Sequence, residues 1–204
     1  QRQMCIRDRT HTSIRMNFLE EAYEAVDALD LDDPVLMCEE LGDVLMQVAF
    51  HTCMEQETGR FTWEQVCDGV CQKLIERHPN IFGTQPGYEG ITDWDALKNK
   101  EKGRRTLADD LESVPRAMPA LMRAAKLQKR AARHGAALQG ADAAALADAA
   151  ENLQTAQPAS AQAEQAVGEL LFAAANLARQ AGVDPEQALQ KANEAFCTAA
   201  GPVA

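Results

Sequence analysis

The chain has 204 residues, of which 46% are hydrophobic and 25% are charged, so it can bury the cores of one or two globular domains. Its formal net charge of −11 at pH 7 excludes the broad basic surface of a nucleic-acid-binding protein. No apolar run reaches the roughly 18 residues of a membrane span, and no signal-peptide core is present, so we predict a cytoplasmic protein without nucleic-acid or membrane partners. Six cysteines without CxxC pairs predict buried or reduced thiols.

Hydrophobic periodicity predicts an all-α protein, because period-two alternation of Val and Ile is scarce along the chain. The stretch 106–115 is interpreted as a link between helices. The Ala- and Gln-rich stretch 141–165 is interpreted as a weak helix or a mobile hairpin. The predicted helices lie at about 12–29, 34–56, 63–78, 93–104, 119–133, 165–181 and 185–199.

Capping residues support the starts of the second and third helices. Pro34 suits a first helical turn, and Asp32 or Asp33 is available as its N-cap. Thr62 is followed by Gln65 three positions on, which is the pattern of a capping box.

The segment 168–196 is similar to the segment 42–74. In each, a glycine and then an acid precede an apolar helix, a glycine-bearing turn follows, and a Glu-Gln pair opens the next helix. Gly168 thus matches Gly42, and Glu169 matches Asp43. The similarity predicts two related helical units in tandem, and chance similarity between amphipathic helices is the alternative.

Two acid pairs lie beside the apolar stripes of the first two helices. Glu21 and Glu24 are three residues apart, as are Glu40 and Asp43. At about 100° per residue, each pair is displaced from its apolar stripe by about the same angle, so neighbouring helices can bring four carboxylates together. Such a group favours a proton or a hard cation such as Mg²⁺. Ordinary solvated acids remain an alternative, and a di-iron site would need Glu-x-x-His pairs, which neither pair provides.

The wider string of motifs resembles the MazG family. Its segments are "LEEAYEAVDAL", "EELGDVLMQVAFH", "ETGRF", "KLIERHPNIFG", "WDALKNKEK" and "PRAMPALMRAAKLQKRAARHG", in the family's order within about residues 10–135. The family's ExxE and ExxD signature matches Glu21 to Glu24 and Glu40 to Asp43. The resemblance implies an all-α helical bundle completed by dimerisation.

The resemblance also implies an activity and a division of the chain. Members of this family are nucleoside triphosphate pyrophosphohydrolases that act in nucleotide-pool house-cleaning. With Mg²⁺, water attacks the α-phosphorus of a nucleoside triphosphate and yields a nucleoside monophosphate and pyrophosphate. We expect a homodimer, with a catalytic unit at 10–108, a linker and basic helix at 109–140, and a degenerate second unit at 141–204.

Site residues are carried over by position from the family's motifs. They are the metal ligands Glu21, Glu24, Glu40 and Asp43, with Glu21 and Glu24 as catalytic candidates, the phosphate-contacting Lys73 and Arg77, and the nucleotide-contacting Trp94 and Lys98.

Two departures from the family's pattern bear on these expectations. Residues 1–9 match almost nothing in it, which predicts a ragged or non-native start. In the second unit Ala166 and Ala195 stand where the first has Glu40 and Lys73, which predicts a unit without a catalytic site. The alternatives are a catalytically inactive helical module that binds partners or nucleotides, and an enzyme similar to phosphoribosyl-ATP pyrophosphohydrolase.

Overall fold

A computed structural model describes residues 9–82, 102–103 and 106–201 of the chain. Within these residues all regular structure is helical and no strand occurs, so the predicted all-α class is confirmed. The helix predicted at 93–104 lies mostly outside the described residues. The helices are α1 (His11–Asp30), α2 (Pro34–Glu57), α3 (Trp63–Arg77), α4 (Pro79–Phe82), α5 (Leu107–Glu112), α6 (Ala120–Arg133), α7 (Ala143–Thr155), α8 (Ala161–Gln180) and α9 (Pro185–Ala200).

The chain divides into two compact units, Gln1–Thr92 and Asp93–Ala204. The basic helix α6 lies within the second compact unit and packs against α8. The predicted boundaries at 108 and 140 remain predictions.

In the first unit, α1 and α2 pack as an antiparallel pair. His11, at the start of α1, contacts the carboxylate of Glu55 near the end of α2. Its Nδ1 also lies 2.6 Å from Nδ1 of His51, and the two rings stack with their centroids 4.9 Å apart. Arg60 pairs with Glu55 at 2.6 Å from beyond the end of α2. These contacts fix which residues of α1 and α2 face each other.

A tight turn between α1 and α2 brings the two helices side by side. Asp32 adopts a left-handed φ of 53°, a conformation that Asp tolerates better than most residues. Of the two predicted candidates, Asp33 is the N-cap of α2. Its carboxylate accepts hydrogen bonds from the backbone N–H groups of Val35 and Leu36 at 2.9 and 3.2 Å. Pro34 occupies the first turn of α2, as predicted.

The predicted capping box at the start of α3 is confirmed. The N–H of Thr62 donates to Oε1 of Gln65 at 2.9 Å, and the N–H of Gln65 donates to Oγ1 of Thr62 at 3.4 Å. Gly59, at φ 70°, makes the turn that precedes this helix.

In the second unit, a buried ionic network joins α5 to α6. Asp110 and Arg130 are 1% and 6% exposed, and Arg130 Nη1 lies 2.9 Å from Oδ1 of Asp110. Arg130 also donates to the Asp110 backbone carbonyl at 2.6 Å and to Ser113, while His134 approaches Oδ2 of Asp110 at 3.2 Å. The interpretation of 106–115 as a plain link was wrong, because this network and a capping box at Thr106 hold a short helix there.

The Ala- and Gln-rich stretch 141–165 contains a complete helix, α7, followed by the start of α8. The mobile-hairpin alternative is therefore wrong. Ala149 on α7 and Ala166 and Ala173 on α8 are buried where the two helices pack together. Asn176 of α8 donates to the carbonyl of Ala141 at 2.6 Å and ties down the loop before α7. Alanine has high intrinsic helix propensity, and packing on α8 supplies the burial that the helix alone lacks.

Two expectations from composition concern the surface. Within the described residues, no helix is both long enough and apolar enough to cross a membrane. The prediction of buried or reduced thiols holds in its second form, because every described cysteine is a free thiol and all of them are exposed. These residues are Cys38, Cys53, Cys67, Cys71 and Cys197.

Candidate metal centre

Three carboxylates of the first unit converge where α1 faces α2. Glu21 and Glu24 lie one turn apart on α1, and Glu40 faces them from α2. One oxygen of each residue lies within 4.8 Å of an oxygen of each of the others. Glu21 and Glu40 are half-buried and Glu24 is exposed. The tight turn after α1 produces this meeting, because it places the beginning of α2 opposite the end of α1.

The electrostatics of the cluster show an excess of negative charge. Partial desolvation, followed by repulsion from Glu24, Asp43, Glu39 and Glu21, raises the pKa of Glu40 above its ordinary value. A cation among these oxygens would relieve the repulsion. Carboxylate oxygens suit a hard divalent ion, and none of the three residues is the histidine that a Glu-x-x-His di-iron site requires. The donor set therefore fits a divalent metal.

Asp43 lies one turn beyond Glu40 on α2 and is half-buried. Its charge contributes to the raised pKa of Glu40, but Asp43 is not one of the three residues whose oxygens converge. The predicted group of four is thus three converging carboxylates with Asp43 beside them, and Asp43 stays a proposed ligand.

Gln47 is a neighbour of the cluster that the sequence reasoning missed. Its side chain is 4% exposed, and its Nε2 donates to Oε1 of Glu21 at 3.1 Å across the helix pair. Glu40, Asp43 and Gln47 follow one another at three- and four-residue spacing on one face of α2. A search of the same helix face one turn beyond Asp43 would have found Gln47.

A cavity of about 260 Å³ adjoins Glu21 on the α1–α2 pair. Its lining combines apolar side chains with an amide on each helix and a basic residue. The lining residues are Arg9, Ile14, Asn17, Glu21, Met46, Gln47 and Phe50.

The remaining predicted site residues lie elsewhere in the chain. Lys73 and Arg77 are one turn apart on α3, Lys73 exposed and Arg77 half-buried. Trp94 and Lys98 lie outside the described residues, so their predicted role remains a prediction.

Comparison with known proteins places this acidic helix pair in a family. The family model described as "MazG nucleotide pyrophosphohydrolase domain" matches residues 9–82. The Nucleoside triphosphate pyrophosphohydrolase of Escherichia coli (strain K12) is 38% identical over 199 residues, covering 93% of this chain and 76% of that protein. The chain belongs to the MazG family. The Nucleoside triphosphate pyrophosphohydrolase/pyrophosphatase MazG of Thermotoga maritima is also 38% identical, over 192 residues, covering 93% of this chain and 74% of that protein.

The two kinds of comparison cover different parts of this MazG chain. The family model spans α1 to α4 and therefore includes all three converging glutamates. The relatives align over most of both units, so the second unit is part of what this chain shares with them. For a MazG hydrolase, the acidic cluster is a candidate site for a divalent metal.

Proposed function

We propose that this MazG protein hydrolyses nucleoside triphosphates to nucleoside monophosphates and pyrophosphate, with Mg²⁺ held by the acidic cluster. The observation that carries the proposal is the convergence of Glu21, Glu24 and Glu40 within 4.8 Å in the part of the chain that matches the MazG domain. Mg²⁺ prefers a few carboxylate ligands and completes its coordination with water and phosphate oxygens, which is the chemistry that a triphosphate substrate supplies.

The proposed reaction is a displacement at the α-phosphorus. A water oxygen forms a bond to this phosphorus while the bond to the oxygen that bridges to the β-phosphorus breaks, and pyrophosphate leaves. When bound, the metal would neutralise charge on the phosphate oxygens and make the attacking water more acidic. Glu21 or Glu24 orients the water and accepts its proton, and Glu40 and Asp43 supply further metal ligands.

Cations outside the cluster would bind the rest of the substrate. The proposal assigns Lys73 and Arg77 to the phosphates on the basis of the family resemblance, and their four-residue spacing places both on one face of α3. It assigns Trp94 and Lys98 to the nucleoside on the basis of the family resemblance. The protein as a whole is strongly acidic, so such local cations are needed to attract a triphosphate.

We also propose a homodimer, supported by the apolar surface of the first unit. Large apolar side chains on α1, α2 and α3 are about half exposed, which is unusual for helices of a monomeric bundle. They include Val26, Leu29, Leu41, Leu45, Val70 and Leu74. A second copy would bury this surface. Light scattering should give a dimer mass for the protein and a lower mass for Leu45→Glu, and a monomeric wild-type protein would contradict the proposal.

We assign the second unit a structural or assembly role. Ala166, equivalent to Glu40, is 2% exposed and part of the packing core of that unit. Ala195 and Ala199 occupy the positions of Lys73 and Arg77, so a triphosphate would meet no equivalent cations.

We place the protein in the cytoplasm, where free thiols such as those described here persist.

The activity is tested with a panel of nucleoside and deoxynucleoside triphosphates in the presence of Mg²⁺, assayed for pyrophosphate release. Turnover in ¹⁸O-water should place the label in the monophosphate, because the water oxygen joins the α-phosphorus. Label found only in pyrophosphate or orthophosphate would show that another bond is broken. Absence of pyrophosphate release with every substrate would refute the proposed function.

A further inference from the structure

We propose that Gln47 is a positioning residue whose buried side-chain amide holds the Glu21 carboxylate in the orientation that metal binding requires. The inference rests on the proposed function, since it concerns the same acidic cluster. It adds a neutral residue to the site, one that belongs to neither acid pair.

The hydrogen bond between the two side chains restrains Glu21. Nε2 of Gln47 donates to Oε1 of Glu21 at 3.1 Å, and Gln47 is 4% exposed. A buried side chain has few rotamers available, so its N–H group points in a fixed direction. Holding one oxygen restricts rotation of the carboxylate about its terminal carbon–carbon bond. The plane of the carboxylate is then set before a cation arrives.

The other end of the amide shows that packing alone does not explain this residue. Oε1 of Gln47 is buried and has no hydrogen-bond partner among the described residues. An unpaired buried acceptor lowers stability, and an apolar side chain of similar size would avoid that penalty. Gln47 therefore occupies a site where the fold alone would favour an apolar residue. The donor group directed at Glu21 is the feature that an apolar residue would lack.

Hydrogen bonds to metal-ligating carboxylates have a known scale of effect. Removing such an outer partner weakens metal binding by roughly 10- to 100-fold, because the ligand is no longer held in place. The Gln47→Met variant keeps the approximate size of the side chain and removes both polar atoms. It should reduce Mg²⁺ affinity by this factor, while the melting temperature of the metal-free protein stays the same or rises.

The experiment uses the whole 204-residue chain and titrates Mg²⁺, and separately Mn²⁺, by calorimetry without nucleotide. Gln56→Met is the matched control, because Gln56 lies on the same helix with an exposed side chain. It should bind both metals as the wild-type protein does. In turnover assays, Gln47→Met should lose activity at low Mg²⁺ and recover most of it at high Mg²⁺, because the lesion is in affinity. A residue that merely joins α1 to α2 would instead lower the melting temperature and leave metal affinity unchanged, which would overturn the proposal.

A double-mutant cycle tests whether the effect passes through Glu21. In a Glu21→Gln background, Gln47→Met should change metal affinity by less than about twofold, since the carboxylate it positions is already gone. Equal effects in both backgrounds would overturn the proposal. If Gln47→Met does not fold, Gln47→Asn keeps the amide but shortens its reach, and wild-type metal affinity in that variant would also count against a positioning role.

The two proposals fail in distinguishable ways. A wild-type protein that releases no pyrophosphate refutes the proposed function. A wild-type protein that binds Mg²⁺ and releases pyrophosphate, together with a Gln47→Met variant of unchanged metal affinity, refutes only the role of Gln47.

Discussion

The helix pairs α1–α2 and α7–α8 have similar architecture and different chemistry. Each is a packed helix pair followed by a turn and one further helix, α3 in the first unit and α9 in the second. In the first pair, Glu40 faces Glu21 and Glu24. In the second, the equivalent position holds Ala166, which is buried. The comparison indicates that the helical framework depends on small and apolar packing residues, while the site depends on a few polar ones.

The two units also differ in whether their acidic side chains converge. A cavity of about 620 Å³ beside α8 in the second unit has only two acids in its lining, Asp148 and Glu169. Among the described residues, the group Glu21, Glu24 and Glu40 is the only set of three metal-capable side chains that converge. The second unit has its buried charges in the Asp110 network, which joins α5 to α6. Framework and site can therefore be changed separately.

The largest expected effect is the loss of hydrolysis when one acid of the first unit is neutralised. Glu24→Gln or Asp43→Asn should reduce turnover by at least about 100-fold, the order of loss when a preorganised group that stabilises the transition state is removed. Glu169→Gln is the matched change in the second unit and should leave turnover unchanged. The rate of pyrophosphate release measures turnover in each of these variants. Wild-type activity in either first-unit variant would show that the substituted residue is not part of the site. Lost activity in Glu169→Gln would show that the second unit also takes part in hydrolysis.

A second change should damage the framework of the second unit without affecting the site of the first. Asp110→Asn leaves the buried Arg130 charge without its partner, which costs about 3–5 kcal/mol of unfolding free energy. Urea denaturation measures this loss. Asp148→Asn, at an exposed position on α7, should change stability by less than about 0.5 kcal/mol. A loss of Mg²⁺ affinity in Asp110→Asn, together with the loss of stability, would show that the framework of the second unit does affect the site of the first.

A smaller effect is expected from the cation on α3. Lys73→Ala removes a proposed charged hydrogen bond to the substrate and should raise KM for the triphosphate about tenfold, equivalent to roughly 1.4 kcal/mol. Lys191→Ala removes an exposed lysine from α9, the corresponding helix of the second unit, and should have no effect. Steady-state kinetics at saturating Mg²⁺ separate KM from kcat. An unchanged KM for Lys73→Ala would show that Lys73 does not bind the phosphates.

The smallest effect is the pH dependence of stability in the metal-free protein. Because the pKa of Glu40 is raised, the folded protein binds a proton at the Glu40 carboxylate more tightly than the unfolded chain does. Glu40 therefore lowers stability as pH rises from the ordinary glutamate pKa through the raised one. Glu40→Gln should melt at a higher temperature than wild type at neutral pH, and the difference should vanish below the ordinary glutamate pKa. Glu151→Gln, an exposed acid of α7, should show no such difference, and a lower melting temperature for Glu40→Gln would contradict the repulsion.

The sequence by itself determined most of the helical framework and the family. Periodicity located α1, α2 and α3, Pro34 and the Thr62–Gln65 box marked helix starts, and the order of motifs predicted the MazG family, which the comparisons confirm. These features are local, because helix period, caps and short motifs are properties of neighbouring residues. The acid pairs could also be recognised as candidates, since their spacing places each pair on one helix face.

Only the tertiary structure decided which of these residues meet. Spacing along one helix cannot show that Glu40 reaches the oxygens of Glu21 and Glu24 while Asp43 stays beside them, because this depends on how α1 and α2 are aligned. The contact of Gln47 with Glu21 depends on the same alignment. The helix at 107–112 was missed for a related reason: a six-residue helix has little stability of its own and depends on partners distant in sequence, here the buried Arg130.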